Sequence, residues 1–382
     1  MTLFKFYLKN PLNILMAALI FTIPHSANAQ DVYVEHFKAY QAAQAAGDTT
    51  TARIEAEAAW KSAEAELGDS KLTAILAYNF GSMMTLEDPQ ASIKPLKRAK
   101  AIGPLAGGDV PLNVVDAYLD YAAYMTAPDN KKAVKLRDSL NKIVQPDGAP
   151  QISDAFMWMN MANIEAKALR LWTAEPAAQK VVEALKSVGL DKDGGPALNN
   201  ALIIRAAAGL SGRERTDSRI AWSLDDLDRV IESFKKPKDA DKLDPILATA
   251  LAWKGVAFQI LEDKNLPLPD PDEIAPLNAA FSSYTGAPEN CNIQWIKNKP
   301  ANFRGSGVFP GYVGGALISY DITSSGKIKD AKLIAQVPNG QLGHEAMKAF
   351  KKWELAGVPE KHKGCRTNQI ASFVYHAEWP AQ

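Results

Sequence analysis

Between residues 34 and 263 apolar side chains recur at three- and four-residue spacing, alanine is abundant, and runs of β-branched residues are rare. That period lines apolar groups along one face of an α-helix, so the stretch reads as one helix after another. Val34, Phe37 and Tyr40 begin the first face, which stops at Gly47-Asp48. Ile54 and Trp60 are the larger apolar residues of the second, which stops at Gly68-Asp69. Ser70 is placed to cap a helix over 72–84, and Asp88-Pro89 has the cap-then-proline order that opens another, ending at Gly103-Pro104. Further helices are expected at 112–125, 131–144, 154–173, 176–188, 196–210, 223–234 and 245–261. Helical pairs stacked in a row predict an α-solenoid; an irregular helical bundle is the alternative.

The second helical pair resembles a tetratricopeptide repeat. Phe80-Gly81 and Met84 stand where that motif has Leu-Gly and an aromatic residue. Leu96, Ala99 and Pro104 stand where it has a large apolar residue, an alanine and a closing proline. The small residue serves close helix crossing, and the proline ends the second helix. The motif's period of about 34 residues is hard to follow beyond this pair.

The first residues form a different kind of segment. Lys5 and Lys9 precede a short apolar run over 12–23, and Ala27-Asn28-Ala29 follows. A basic start, an apolar core and small residues at the end describe a secretory signal over 1–29, cleaved before Gln30. The run falls short of the roughly 20 residues of a spanning helix, although an uncleaved anchor is the alternative. Loss of Lys5 and Lys9 takes the formal charge from zero to −2, which offers no attraction to nucleic acid or anionic lipid. The expectation is a periplasmic protein with no bilayer insertion after signal removal.

Pro267, Pro269, Pro271 and Pro276 mark a connector over 265–286, because proline at that density favours an extended chain. Beyond it the vocabulary changes to glycine, aromatic and alternating apolar residues. The expected organisation is thus a helical domain at 31–264, the linker, and a C-terminal domain at 287–382. In that last domain a strand over 317–322, the turn Ser324-Ser325-Gly326 and a strand over 328–337 form a hairpin. A short amphipathic helix over 345–355 and a last strand over 370–376 follow. The fold class is α+β in two domains: an all-α solenoid, then a small domain with a three-stranded antiparallel sheet and a helix. Cys291 and Cys365 are the two cysteines of the chain. In an oxidising compartment they are expected to pair, a loop closure worth roughly 4–4.5 kcal/mol if unstrained; two buried thiols are the alternative.

Residues 320–334 and the helix after them resemble the C-terminal domain of TonB, the energy transducer of the outer membrane. Tyr320, Ile322, Gly326, Ile328 and Ile334 fill the places of that family's aromatic, turn glycine and alternating apolar residues. Ala349, Lys351-Lys352 and Trp353 keep the second alanine, the basic pair and the tryptophan of its helix. Thr323, Ser325 and Gly343 stand where the family has acidic residues. The resemblance implies recognition of an extended peptide by strand addition, with Phe373, Val374 and Tyr375 as the candidate binding edge. It also implies envelope proteins or peptides as partners, an outer-membrane transporter among them. A membrane-anchored energy-transduction component is the alternative function; a cleaved signal would separate this chain from the inner-membrane motor.

Catalytic chemistry is sparse. His36, His344, His362 and His376 show no metal-ligand spacing, and no G-x-S-x-G or Walker sequence occurs. Gly305-Ser306-Gly307 with Gly311 precedes a strand rather than opening a helix, which is the wrong order for cradling a phosphate. Asp191 to Gly195 lacks the closing glutamate of a calcium loop, and the charged run 212–219 reads as a solvated loop. No catalytic residue, metal or cofactor is expected. Tyr78, Tyr118, Tyr121, Tyr124, Trp158 and Trp172 are candidates for a groove, but aromatics at helical spacing are usually core, and none is assigned as a site.

Overall fold

The computed structural model describes residues 32–143, 152–191, 195–211, 215–234, 243–266, 295–297, 313–338, 342–355, 365–367 and 369–376. The segment expected as a signal, most of the linker, Cys291 and the Gly305–Gly311 loop lie outside these residues. Contacts divide the chain into two compact units, Met1–Ile143 and Val144–Gln382. The described residues are mostly helical with a small antiparallel sheet near the C-terminal end, the expected α+β character. Among them, no helix is long and apolar enough to cross a membrane.

The first unit consists of α1 (Val32–Ala45), α2 (Thr49–Leu67), α3 (Lys71–Glu87), α4 (Pro89–Ile102), α5 (Leu112–Thr126) and α6 (Asn130–Leu140). Each helix packs on its predecessor, and α5 also touches α3. Caps set the boundaries. Asp48 accepts from the Thr51 amide at 3.0 Å, Ser70 from Thr73 at 3.1 Å, Asp88 from Ala91 at 3.0 Å and Asp129 from Lys132 at 2.8 Å. Each satisfies an amide that the first turn leaves without a partner, a gain of about 1 kcal/mol. Gly81 lets α3 and α4 cross closely, since a Cβ there would lie 2.7 Å from Leu96 Cγ. Trp60 of α2 stacks on Phe80 of α3, ring centroids 5.7 Å apart, at the centre of a core rich in alanine.

The second unit opens with α7 (Ile152–Lys167), α8 (Leu171–Ser187), α9 (Pro196–Ser211), α10 (Asp217–Ser233) and α11 (Pro245–Asp263). The helix expected over 154–173 ends at Lys167, and the next, expected from Pro176, begins at Leu171. Leu169 takes a left-handed φ of 58°, and Arg170 turns back to hold the buried Glu165 carboxylate in a fork at 2.6 and 2.7 Å. Pro176 sits in the second turn of α8 rather than opening it. The charged run is not all loop either: α10 starts at Asp217, with Thr216 Oγ1 accepting from the Arg219 amide at 3.3 Å.

The sheet has the order β3-β2-β5, with β2 (Val313–Ile322) paired antiparallel to β3 (Ile328–Val337) and to β5 (Gln369–His376). A second, two-stranded pair joins β1 (Trp295–Lys297) to β4 (Glu354–Leu355). The sheet lies between two helices. α12 (Leu342–Phe350) covers the face carrying Ala316, Ile318, Tyr320, Ile322 and Phe373, where Phe350 meets Tyr320 edge-on at 4.8 Å. α11 covers the other face, where a Cβ on Gly315 would lie 3.1 Å from Val256. On the first face a Cβ on Gly314 would collide with Leu342 and the Val337 carbonyl. The adjacent glycines thus admit one helix on each side, and this is why β2 begins four residues before its expected start. α12 is also shorter than expected: it ends at Phe350, and Glu354 and Leu355 form β4.

Candidate functional site

The two outer strands of the sheet are built differently. β3 exposes much of its length and carries Lys329, Asp330 and Lys332. Its pairing with β2 shifts register twice, and Asp330 has a φ of 52°. Lys327, just before it, also bridges to Glu354 of β4. Charges, irregular pairing and a neighbouring strand are the devices that protect an edge from a further strand. β5 has none of them. Its register with β2 runs without a shift from Val313↔His376 to Tyr320↔Gln369, and its sequence QIASFVYH holds no lysine, arginine or carboxylate. Among the described residues, no strand pairs with the outer side of β5.

The candidate edge residues have different surroundings. Phe373 is opposite Ala316, and its ring belongs to the core beneath α12, 5.5 Å from Phe350 and 4.8 Å from Trp353. Its side chain is committed to the core and not to the edge. Val374 and Tyr375 are half-buried and opposite Gly315 and Gly314, and Ser372 between them and Ala371 is exposed. Cys365 is buried and disulfide-bonded; Cys291, the other cysteine of the chain, lies outside the described residues. Burial pushes the Tyr320 phenol well above its ordinary range, so this ring acts as core.

A second surface lies on the first unit. Trp60, Lys61 and Glu64 of α2 and Lys94, Lys97, Arg98 and Ala101 of α4 line an open cavity of about 440 Å³. Arg98 Nε donates to Glu64 at 2.8 Å and its Nη2 to Asp69 at 2.6 Å, and these hydrogen bonds raise its already high pKa. Lys61 pairs with Glu57 at 2.7 Å. The residues of α4 recur at the i, i+3, i+4, i+7 spacing of one helical stripe, a signal present in the sequence. Its meaning depended on which helix lay across from it, and sequence reasoning passed it over.

The groove aromatics divide by burial. Tyr121, Tyr124 and Trp158 are core, whereas Trp172 is 69% exposed at the start of α8. His344 is exposed on α12. Among the described residues, no group of three or more His, Cys, Asp or Glu side chains is arranged to hold a metal ion. No protein-family model, no curated protein and no solved structure matches this chain.

Proposed function

We propose that the protein is a periplasmic adaptor that binds envelope proteins, taking an extended segment of one partner as a fourth strand beside β5 and a second partner on its helical surface. The observation that carries this reading is the asymmetry of the sheet among the described residues: one edge is charged, irregular and bridged, while the other is regular and holds no lysine, arginine or carboxylate. Main-chain hydrogen bonds from an added strand would supply affinity, and the side chains of Ser372 and Val374 would read alternate residues of the partner. The TonB-like pattern in residues 320–353 agrees with such a mode, and the segment over 1–29 supports export to the compartment where an outer-membrane transporter is a partner of the right kind.

The test is photo-cross-linking in living cells, with the reactive residue placed at Ser372 or, as the control edge, at Lys332. Capture of a discrete envelope protein through Ser372 and none through Lys332 is the expected result. Equal capture at both positions, or none at Ser372, would remove strand addition at β5 from the account.

A further inference from the structure

We infer that the groove between α2 and α4 is a binding site for an acidic segment of a partner polypeptide, its carboxylates met by Lys94 and Lys97 and its apolar side chains by Trp60. This rests on the adaptor reading and deepens it, giving the helical surface a chemistry; its failure is separable because β5 belongs to the other compact unit.

Charge comes first. Among the described residues that line the groove, Glu64 is the one carboxylate, and Arg98 engages it together with Asp69; the groove's Lys61 is taken by Glu57. Lys94 and Lys97 line the same groove, are exposed, and have no carboxylate within ion-pair distance among the described residues. The ion pairs on Arg98 hold α4 and its two unmatched cations against α2.

Trp60 provides the independent observation. It is 5% exposed, it forms part of the groove wall, and its indole Nε1 has no hydrogen-bond acceptor among the described residues. A buried donor left unmet costs about 1–3 kcal/mol; the Nε1 atom is itself closed to solvent, so a ligand's oxygen meets it only where a small shift of the groove wall opens a path to the indole edge. Apolar wall, unmet donor and unmatched cations together describe a ligand that is both acidic and partly apolar.

The layout favours a chain over a compact anion. Lys94 and Lys97 are separated by about 4.5 Å along the helix axis and Ala101 stands about 6 Å further on, at 1.5 Å per residue. Side chains on one side of an extended peptide repeat every 6.5–7 Å or so, about 2 Å more than the axial separation of the two lysines, a difference that their long, flexible side chains span. A phosphate or other small oxyanion is held best by donors that converge, and these are spread along a groove.

The experiment uses the full chain and a fluorescein-labelled twelve-residue peptide of glutamate, aspartate and leucine, read by anisotropy. The comparison peptide has glutamine and asparagine at the acidic positions. Tight binding of the acidic peptide, at least ten-fold weaker binding of its amide twin, and at least ten-fold loss in the K94E/K97E variant are expected. A K131E/K142E variant, with the same change in net charge elsewhere on this unit, should bind as the parent does. Trp60→Phe keeps a ring against Phe80 and should weaken binding several-fold; because it alters the core, the exposed lysine pair carries the test if it fails to fold. Absence of binding, or equal loss in both charge-reversal variants, would overturn the assignment. Displacement by low-millimolar inorganic phosphate would do so as well, by giving the lysines to a free oxyanion.

Discussion

Asp226 is the residue whose surroundings are most at odds with its chemistry. It is 2% exposed on α10, with Arg205 Nε of α9 at 3.2 Å, and Arg205 also lies 5.5 Å over the Trp222 ring. Burial pushes its carboxyl up from 3.8 to about 6, against the pull of Arg205 and Arg229 and with a further push from Asp225. An acid whose folded pKa is raised favours the protonated form on folding. Its contribution is therefore fully present below the ordinary carboxylate pKa and is lost as pH climbs through about 6. Asp226→Asn should stabilise the protein at pH 7, by up to roughly 3 kcal/mol from a shift of that size, and make little difference below pH 4. Urea midpoints measured from pH 4 to 7.5 test this. A variant less stable than the parent at pH 7 would mean that the Arg205 pair outweighs the cost of burial. The lone glycine of α3 makes the matching case in packing. Gly81→Val places two methyl groups where Leu96 already stands, and overpacking of this kind costs about 1–3 kcal/mol. Gly81→Ala combined with Leu96→Ala should be less destabilised than the sum of the single changes, because the second removes the atoms the first collides with. Additive losses in denaturation would argue that another contact sets the crossing.

At the scale of elements, legibility followed the physical source of each signal. Caps are local: Ser70 and the Asp88-Pro89 pair marked their helices from sequence because a side-chain oxygen three residues from its amide needs no other part of the fold. β3 was also legible end to end, its turn fixed by Gly326 at a φ of 77°. What escaped depended on partners distant in sequence. Gly314 and Gly315 look like loop, since glycine weakens a strand, yet they belong to β2 because a helix presses on each face. Pro176 looks like a helix start, yet α8 begins five residues earlier, where Arg170 meets the Glu165 carboxylate. Of the candidate site, the position of the edge was legible and the direction of Phe373 was not, because which way a strand's side chains turn depends on what covers its faces. The unequal protection of β3 and β5 could be recognised only once both were known to be outermost. A lysine at Ser372 would give β5 the protection β3 already has. Ser372→Lys should abolish partner capture by cross-linking at a neighbouring position while leaving the melting temperature within a few degrees of the parent; undiminished capture would point to side chains rather than to strand addition.

Over the whole molecule, the distribution of cysteine separates the two units. Both cysteines fall in Val144–Gln382, and Met1–Ile143 contains none. Cys365 follows β4 and precedes β5, so its disulfide limits how far the chain can open where the last strand joins the sheet. The unit's stability is thereby tied to redox state in a way the first unit's is not. Closing a loop of some 75 residues to Cys291 would contribute roughly 4–4.5 kcal/mol through the entropy of the unfolded chain. For a unit of 239 residues, Val144–Gln382, a loss of that size corresponds to a fall in melting temperature on the order of 10 °C. Calorimetry with and without a thiol reductant should thus move one transition and leave another in place. Amide exchange can assign the transitions: protection should fall in β2 and β5 on reduction and persist in α1–α4. A fall shared equally by both units would mean that they unfold together. No fall in either would mean that the packing of α11 and α12 on the two faces of the sheet secures β5 without the bridge.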